Sequence, residues 1–132
     1  MKKHRIRLAG PWESQSVDDQ QQPVGETIRC QLPFTLQESL RETGVLLTRG
    51  FHCPTGIDHS TQLRIVLQAS ERPDVVRING TEIAACAARQ DAEFAFEVTG
   101  RIAAFNQLSV LLRSTGFESA AALHTAWLEI QG

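Results

Sequence analysis

Residues 75–113 read VVRINGTEIAACAARQDAEFAFEVTGRIAAFNQLSVLLR, and this stretch decides the fold. It opens on an apolar run that ends at Asn79-Gly80. Asn-Gly between two such runs predicts a two-residue β-hairpin, because a type I′ turn needs φ > 0 at both central residues. Phe94-Ala95-Phe96-Glu97-Val98 follows. Phe94, Phe96 and Val98 fall on one face and Glu93, Ala95 and Glu97 on the other, the period of a half-covered strand. Leu108-Ser109-Val110-Leu111-Leu112-Arg113 repeats the pattern.

The flanking sequence extends the theme. Arg5-Ile6-Arg7-Leu8 alternates and stops at Gly10-Pro11. Thr27–Leu32 alternates and stops at Pro33. Val45–Phe51 and Gln62–Ala69 read as longer strands, and His124–Ile130 as the last, with Ala126, Leu128 and Ile130 inward. Three segments are expected to be something else. Residues 14–25, SQSVDDQQQPVG, read as an exposed, loosely ordered loop. Thr35 and Glu38 have capping-box spacing, which predicts a helical turn over residues 35–43 ended by Gly44. Thr99 reads as the N-cap of a second turn through Phe105. Residues 114–123 stay open: their alanines favour helix, but the span is short. Eight or nine short strands with no long helix predict an all-β, antiparallel β-sandwich with one core.

Composition narrows the function classes. A chain of 132 residues is expected to form one domain, residues 1–132. A net charge of −2 argues against binding a phosphate backbone, so no nucleic-acid partner is expected. No run reaches the ~20 apolar residues of a membrane helix, and the basic start Met1–Arg7 lacks the apolar run of a signal peptide. A cytoplasmic location without membrane contact is the expectation. Cys30, Cys53 and Cys86 are too few and too odd in number for a disulfide framework.

Five pieces, in order, resemble the N-terminal sugar-binding domain of glycoside hydrolase family 2, the group of β-galactosidase and β-glucuronidase. Arg7-Leu8-Ala9-Gly10-Pro11-Trp12 is similar to that domain's opening strand and Gly-x-Trp. Thr48-Arg49-Gly50-Phe51 resembles its strand with basic residues before a Phe, and Val75–Gly80 its Asn-Gly hairpin. Phe94–Thr99 and Asn106-Gln107-Leu108-Ser109-Val110 resemble two further strands of the domain. The likeness runs from about residue 5 to residue 131 and weakens after Ser114-Thr115-Gly116-Phe117. It implies a galactose-binding-like jelly roll, here as a stand-alone protein, and a carbohydrate-binding surface. It does not imply hydrolysis, because the family's catalytic carboxylates lie in a separate (β/α)₈ barrel of ~250 residues.

Residue chemistry gives no enzyme. His52, Cys53 and His59 are a zinc-type set without a fourth ligand at suitable spacing. Asp58-His59-Ser60 names a hydrolase triad, but consecutive residues do not converge on one reacting centre. Glu93 and Glu97 lie roughly 13 Å apart on a strand, beyond the reach of paired glycosidase carboxylates, and read as a solvated face. Asp18, Asp19, Asp58, Asp74 and Asp91 fall in loops that could hold a structural Ca²⁺, but they follow no calcium motif, so no cofactor is expected.

The expectation is therefore a non-catalytic carbohydrate-binding module. Sugar recognition wants an aromatic platform beside planar polar groups. Trp12, Arg89, Gln90, Asp91 and Phe117 are the candidates for a site at the loop end. The alternative is a protein-interaction or assembly sandwich with no sugar ligand, pairing with a protein partner or a second copy. There the outward Trp127 and an edge strand would make the contact.

Overall fold

The computed structural model describes residues 3–37, 43–88, 92–113 and 121–132, with residues 85–88 described by their backbone alone. Among these residues the chain forms twelve strands: β1 (Lys3–Arg7), β2 (Trp12–Ser16), β3 (Ile28–Cys30), β4 (Phe34–Thr35), β5 (Val45–His52), β6 (Gln62–Ala69), β7 (Val75–Ile78), β8 (Thr81–Glu82), β9 (Ala85–Ala88), β10 (Glu93–Glu97), β11 (Phe105–Leu112) and β12 (Ala122–Gln131). One sheet runs β1-β12-β6-β10-β9, with β4 also pairing β12. The other runs β3-β2-β5-β11-β7-β8. Every pairing between these strands is antiparallel. The protein is an all-β sandwich of the jelly-roll type, and no described residue is helical.

The hairpin signal holds at atomic detail. Asn79 and Gly80 have φ of 52° and 83°, the pair a type I′ turn demands. The Asn79 side chain does a second job there. Its Oδ1 accepts from the Gln107 amide at 2.9 Å, and its Nδ2 donates to Asn106 Oδ1 at 3.0 Å. Asn106 is buried; its Oδ1 also accepts from the Ala103 amide at 2.8 Å, and its Nδ2 donates to the Ala103 carbonyl at 2.9 Å. One buried amide thus joins the hairpin to the turn that enters β11.

Alternation places the core. Leu47 and Phe51 of β5, Ile65 and Leu67 of β6, Phe96 of β10, Leu108 and Val110 of β11, and Leu128 of β12 all pack between the sheets. Each such side chain contributes roughly 1.5–3 kcal/mol over its exposed state. This dry layer is the main source of stability.

Three sequence expectations are corrected. Thr99 caps no helix: its Oγ1 accepts from the Leu63 amide at 2.9 Å on the neighbouring strand β6 of the same sheet, and Gly100 takes φ 79°. Residue 105 begins a strand instead of ending a helical turn. Thr35 pairs with Ala122 inside β4, so it is not an N-cap; residues 38–42 lie outside the described residues. The polar segment after Trp12 is built, not loose. Residues 12–16 form β2, Val17 is buried, and the Asp18 carboxylate accepts from the amides of Gln20 and Gln22, both at 2.9 Å. Of residues 114–123, Ala122 and Leu123 are strand and Ala121 is buried, while 114–120 lie outside the described residues.

The outer face of the first sheet is not simply solvated. Register puts Arg5 opposite Glu129, Glu129 opposite Arg64, and Arg64 opposite Glu97. Four neighbouring strands therefore carry a row of alternating charge. Arg5 Nε donates to Glu129 Oε2 at 3.2 Å and its Nη groups donate to Glu93 at 3.0 Å. Arg64 Nε donates to Glu97 at 3.0 Å, and its Nη1 stands 3.7 Å from Glu129. The Glu129 side chain is wholly buried under these cations, with 0% exposure. Hydrogen bonding to Glu93, aided by Glu129, holds the Arg5 guanidinium above its usual pKa.

Candidate functional site

The candidate site is a cleft at one margin of the sandwich, and chain connectivity creates it. β2 pairs with β5 only as far as Glu13↔Thr48, because the chain reaches β2 through the corner at residues 8–11. β5 therefore continues from Arg49 to His52 without β2 beside it. Opposite stands the end of β1, where Ile6 is paired with Leu128. The space between encloses about 450 Å³.

Its floor is apolar, made by the buried Leu8, Phe51 and Leu128. Its flanks hold two unusually exposed hydrophobic residues, Ile6 at 43% and Phe105 at 58%. Phe105 is directly opposite His52 in the ladder, and the two rings meet edge to face with centroids 5.0 Å apart. The Phe105 ring tip lies over Gly50, where a Cβ would come within 2.5 Å of Cζ. Only glycine lets the ring settle there.

The polar lining is Arg7, Arg49 and His52. Arg49 shares the inward face of β5 with Val45, Leu47 and Phe51 but emerges at the margin, half-buried. Its Nε donates to the Ala9 carbonyl and its Nη1 to the Gly50 carbonyl. Burial lowers its pKa. Among the described residues no Asp or Glu lines the cleft, and no ion pair involves Arg7 or Arg49. An aromatic face beside guanidinium and imidazole groups is the donor-rich arrangement that hydroxylated rings use.

The residues expected from sequence fare differently. Trp12 is a correction: it has 0% exposure, and its indole N–H donates to the Leu8 carbonyl at 2.9 Å. The Gly10-Pro11 corner turns it into the core, so neither ring face meets a ligand. Arg89, Gln90, Asp91 and Phe117 lie outside the described residues. Trp127 does face outward, half-buried, with the Arg5 guanidinium 4.8 Å above its ring. Phe105 was missed because the helical-turn reading ended on it. Counting alternation back from Leu108 puts Asn106 inward and Phe105 outward, and that signal was available.

The other sequence constellations resolve into turns. Asp58 accepts from the Ser60 amide at 2.8 Å and the Ser60 hydroxyl at 2.6 Å, closing a local loop. These hydrogen bonds from Ser60 hold its carboxyl below the usual range. His52 is engaged with Phe105, and no group of three or more His, Cys, Asp or Glu among the described residues is placed to hold a metal ion. Cys30 and Cys53 are free thiols, and burial pushes the Cys30 thiol up. No described helix is long and apolar enough to cross a membrane.

The fold, two packed antiparallel sheets, is similar to that of jelly-roll domains in glycoside hydrolase family 2 enzymes. A β-glucuronidase from Faecalibacterium prausnitzii superposes with a TM-score of 0.74 at 15% identity, over 97% of this chain and 22% of that one. A β-glucuronidase from an uncultured Clostridium species gives 0.72 at 16% identity, over 98% of this chain and 29% of that one. One from Bifidobacterium dentium gives 0.64 at 20% identity, over 84% and 20%. The chain thus spans under a third of these neighbours' length. No protein-family model matches the sequence, and no curated protein matches it.

Proposed function

We propose that the protein is a non-catalytic carbohydrate-binding module related to the sugar-binding domains of family 2 glycosidases. The observation that carries this reading is the Phe105 platform. An aromatic ring, 58% exposed, lies on a glycine at the mouth of a cleft whose polar lining is planar and donor-rich. Sugar rings stack their C–H faces on such a surface and direct hydroxyls to flanking planar groups. The non-catalytic part rests on how the acids are used. Glu93, Glu97 and Glu129 are each committed to arginine partners across the first sheet, away from the cleft. Hydrolysis by the usual route needs two carboxyl groups flanking one bond.

A glycan array probed with fluorescently labelled protein tests the proposal. Binding to at least one class of glycan, abolished by Phe105→Ala in a protein that keeps its melting temperature, is expected. Glycan binding that persists unchanged in Phe105→Ala contradicts the site. A second reading, a protein contact through a sheet edge, is favoured by Ile28, 63% exposed on the outermost strand β3. Light scattering on Ile28→Lys tests it: a concentration-dependent dimer lost in that variant supports the contact. A dimer that survives does not.

A further inference from the structure

The cleft has a charge pattern that a neutral sugar does not use. Among the described residues its lining includes two arginines, Arg7 and Arg49, and no Asp or Glu. Arg29, Arg72, Arg77 and Arg101 have no ion pair among the described residues, while three arginines are answered: Arg5 by Glu93 and Glu129, Arg64 by Glu97, Arg113 by Asp74 at 2.7 Å. Arg49 differs from all three. It is half-buried, its hydrogen-bond partners are backbone carbonyls, and no described acid pairs with it. A guanidinium carries five N–H donors. The bonds to Ala9 and Gly50 use two, which fixes the plane of the group and leaves donors for a ligand. A half-desolvated cation in this state gains most from an anion, because the interaction is less screened than at an open surface.

The positions of the apolar groups fix where that anion belongs. Phe105 sits on the outer face of its sheet over Gly50, while Arg49 is the next residue of β5 and faces inward. A ligand ring stacked on Phe105 would have its substituent pointing past Gly50 into the cleft, toward Arg49, with the exposed Arg7 on the opposite wall.

We propose that the cleft selects a saccharide bearing an oxyanion, its ring on Phe105 and its charged group on Arg49 and Arg7. This rests on the carbohydrate-binding reading above and deepens it by naming the ligand's charge. A carboxylate, a phosphate and a sulfate share the chemistry a planar guanidinium recognises.

Isothermal titration at low ionic strength tests it, with glucose, glucuronate, glucose 6-phosphate, glucose 6-sulfate and inorganic phosphate as probes. At least one charged sugar is expected to bind about tenfold or more tighter than glucose, the effect of one charge-assisted hydrogen bond. Its affinity is expected to fall with added salt and in Arg49→Met. Which of the three charged sugars leads identifies the oxyanion. Arg49 also ties the corner at Ala9 to β5, so the melting temperature of the variant is measured alongside. Arg7→Gln, outside that tie, provides a second variant and is expected to weaken the charged sugar by a larger factor than it weakens glucose. Glucose binding as tightly as every charged sugar overturns the charge inference and leaves the carbohydrate module standing. Inorganic phosphate binding as tightly as glucose 6-phosphate overturns it too, because the ring then adds nothing. No binding of any sugar overturns both readings.

Discussion

Replacing Glu129 by Gln should show how the first sheet is held together. Glu129 is fully buried and stands between cations on both neighbouring strands: Arg5 at 3.2 Å, Arg64 at 3.7 Å, and Lys3 farther out at 3.9 Å. Removing one partner of a buried pair costs about 3–5 kcal/mol when it strands the other charge. Here the cations are not stranded. Arg5 keeps Glu93 and Arg64 keeps Glu97, each at 3.0 Å. Arg5 is 33% exposed, so its share is screened further, and Lys3 is too exposed to add much. About 1 kcal/mol for each arginine remains, roughly 2 kcal/mol in all. At about 4 °C per kcal/mol for a domain of this size, the melting temperature should fall by roughly 8 °C. Glu97→Gln, at the open end of the same charge row, should cost only about 0.5 kcal/mol. Thermal unfolding followed by circular dichroism, at low and high sodium chloride, separates the two. The Glu97 effect should shrink with salt while the Glu129 effect persists, since burial shields it from screening. If Glu129→Gln destabilises no more than Glu97→Gln, or its effect vanishes in salt, the reasoning about burial is wrong.

Other outcomes follow from the same geometry. Asn106→Ala removes a buried side chain that accepts from the Ala103 amide and joins Asn79, so urea unfolding should report a loss of about 1–2 kcal/mol. Gly50→Ala puts a methyl 2.5 Å from Phe105 Cζ; because that ring is exposed it can swing away, so stability should change by less than about 1 kcal/mol while glycan binding falls. Asp58 has a folded pKa below its unfolded value, so its contribution is present above the unfolded pKa and is lost as pH falls through the folded one. Asp58→Asn should accordingly lower the melting temperature at neutral pH, and the difference from the parent should shrink as pH falls below about 4.

Much of the architecture was legible in the chain because its determinants are local. The Asn79-Gly80 turn needs only two residues, and alternation through Phe94–Val98 and Leu108–Leu112 needs only neighbours. The failures came where a distant residue outbid a local signal. Thr99 has the chemistry of a helix cap, but the Leu63 amide, 36 positions away, takes its hydroxyl oxygen. Trp12 looks like a platform until the Leu8 carbonyl and the core claim it. Glu93 and Glu97 read as a wet face because their partners, Arg5 and Arg64, are 88 and 33 positions away. Glu129 gave no signal of burial, since the row that covers it exists only once four strands are side by side. The cleft was illegible for a related reason: it forms where β2 stops short of β5, a register fact that no local pattern encodes.

Proteins of similar fold can bind nothing, so the account stands or falls on the cleft. The most direct measurement is nuclear magnetic resonance of the labelled protein during titration with the glycan the array identifies. Shifts should cluster on Gly50 and His52 amides and on the Phe105 ring, with the outer face around Trp127 and Glu129 silent. Shifts confined to that outer face, or none at saturating sugar, would contradict it.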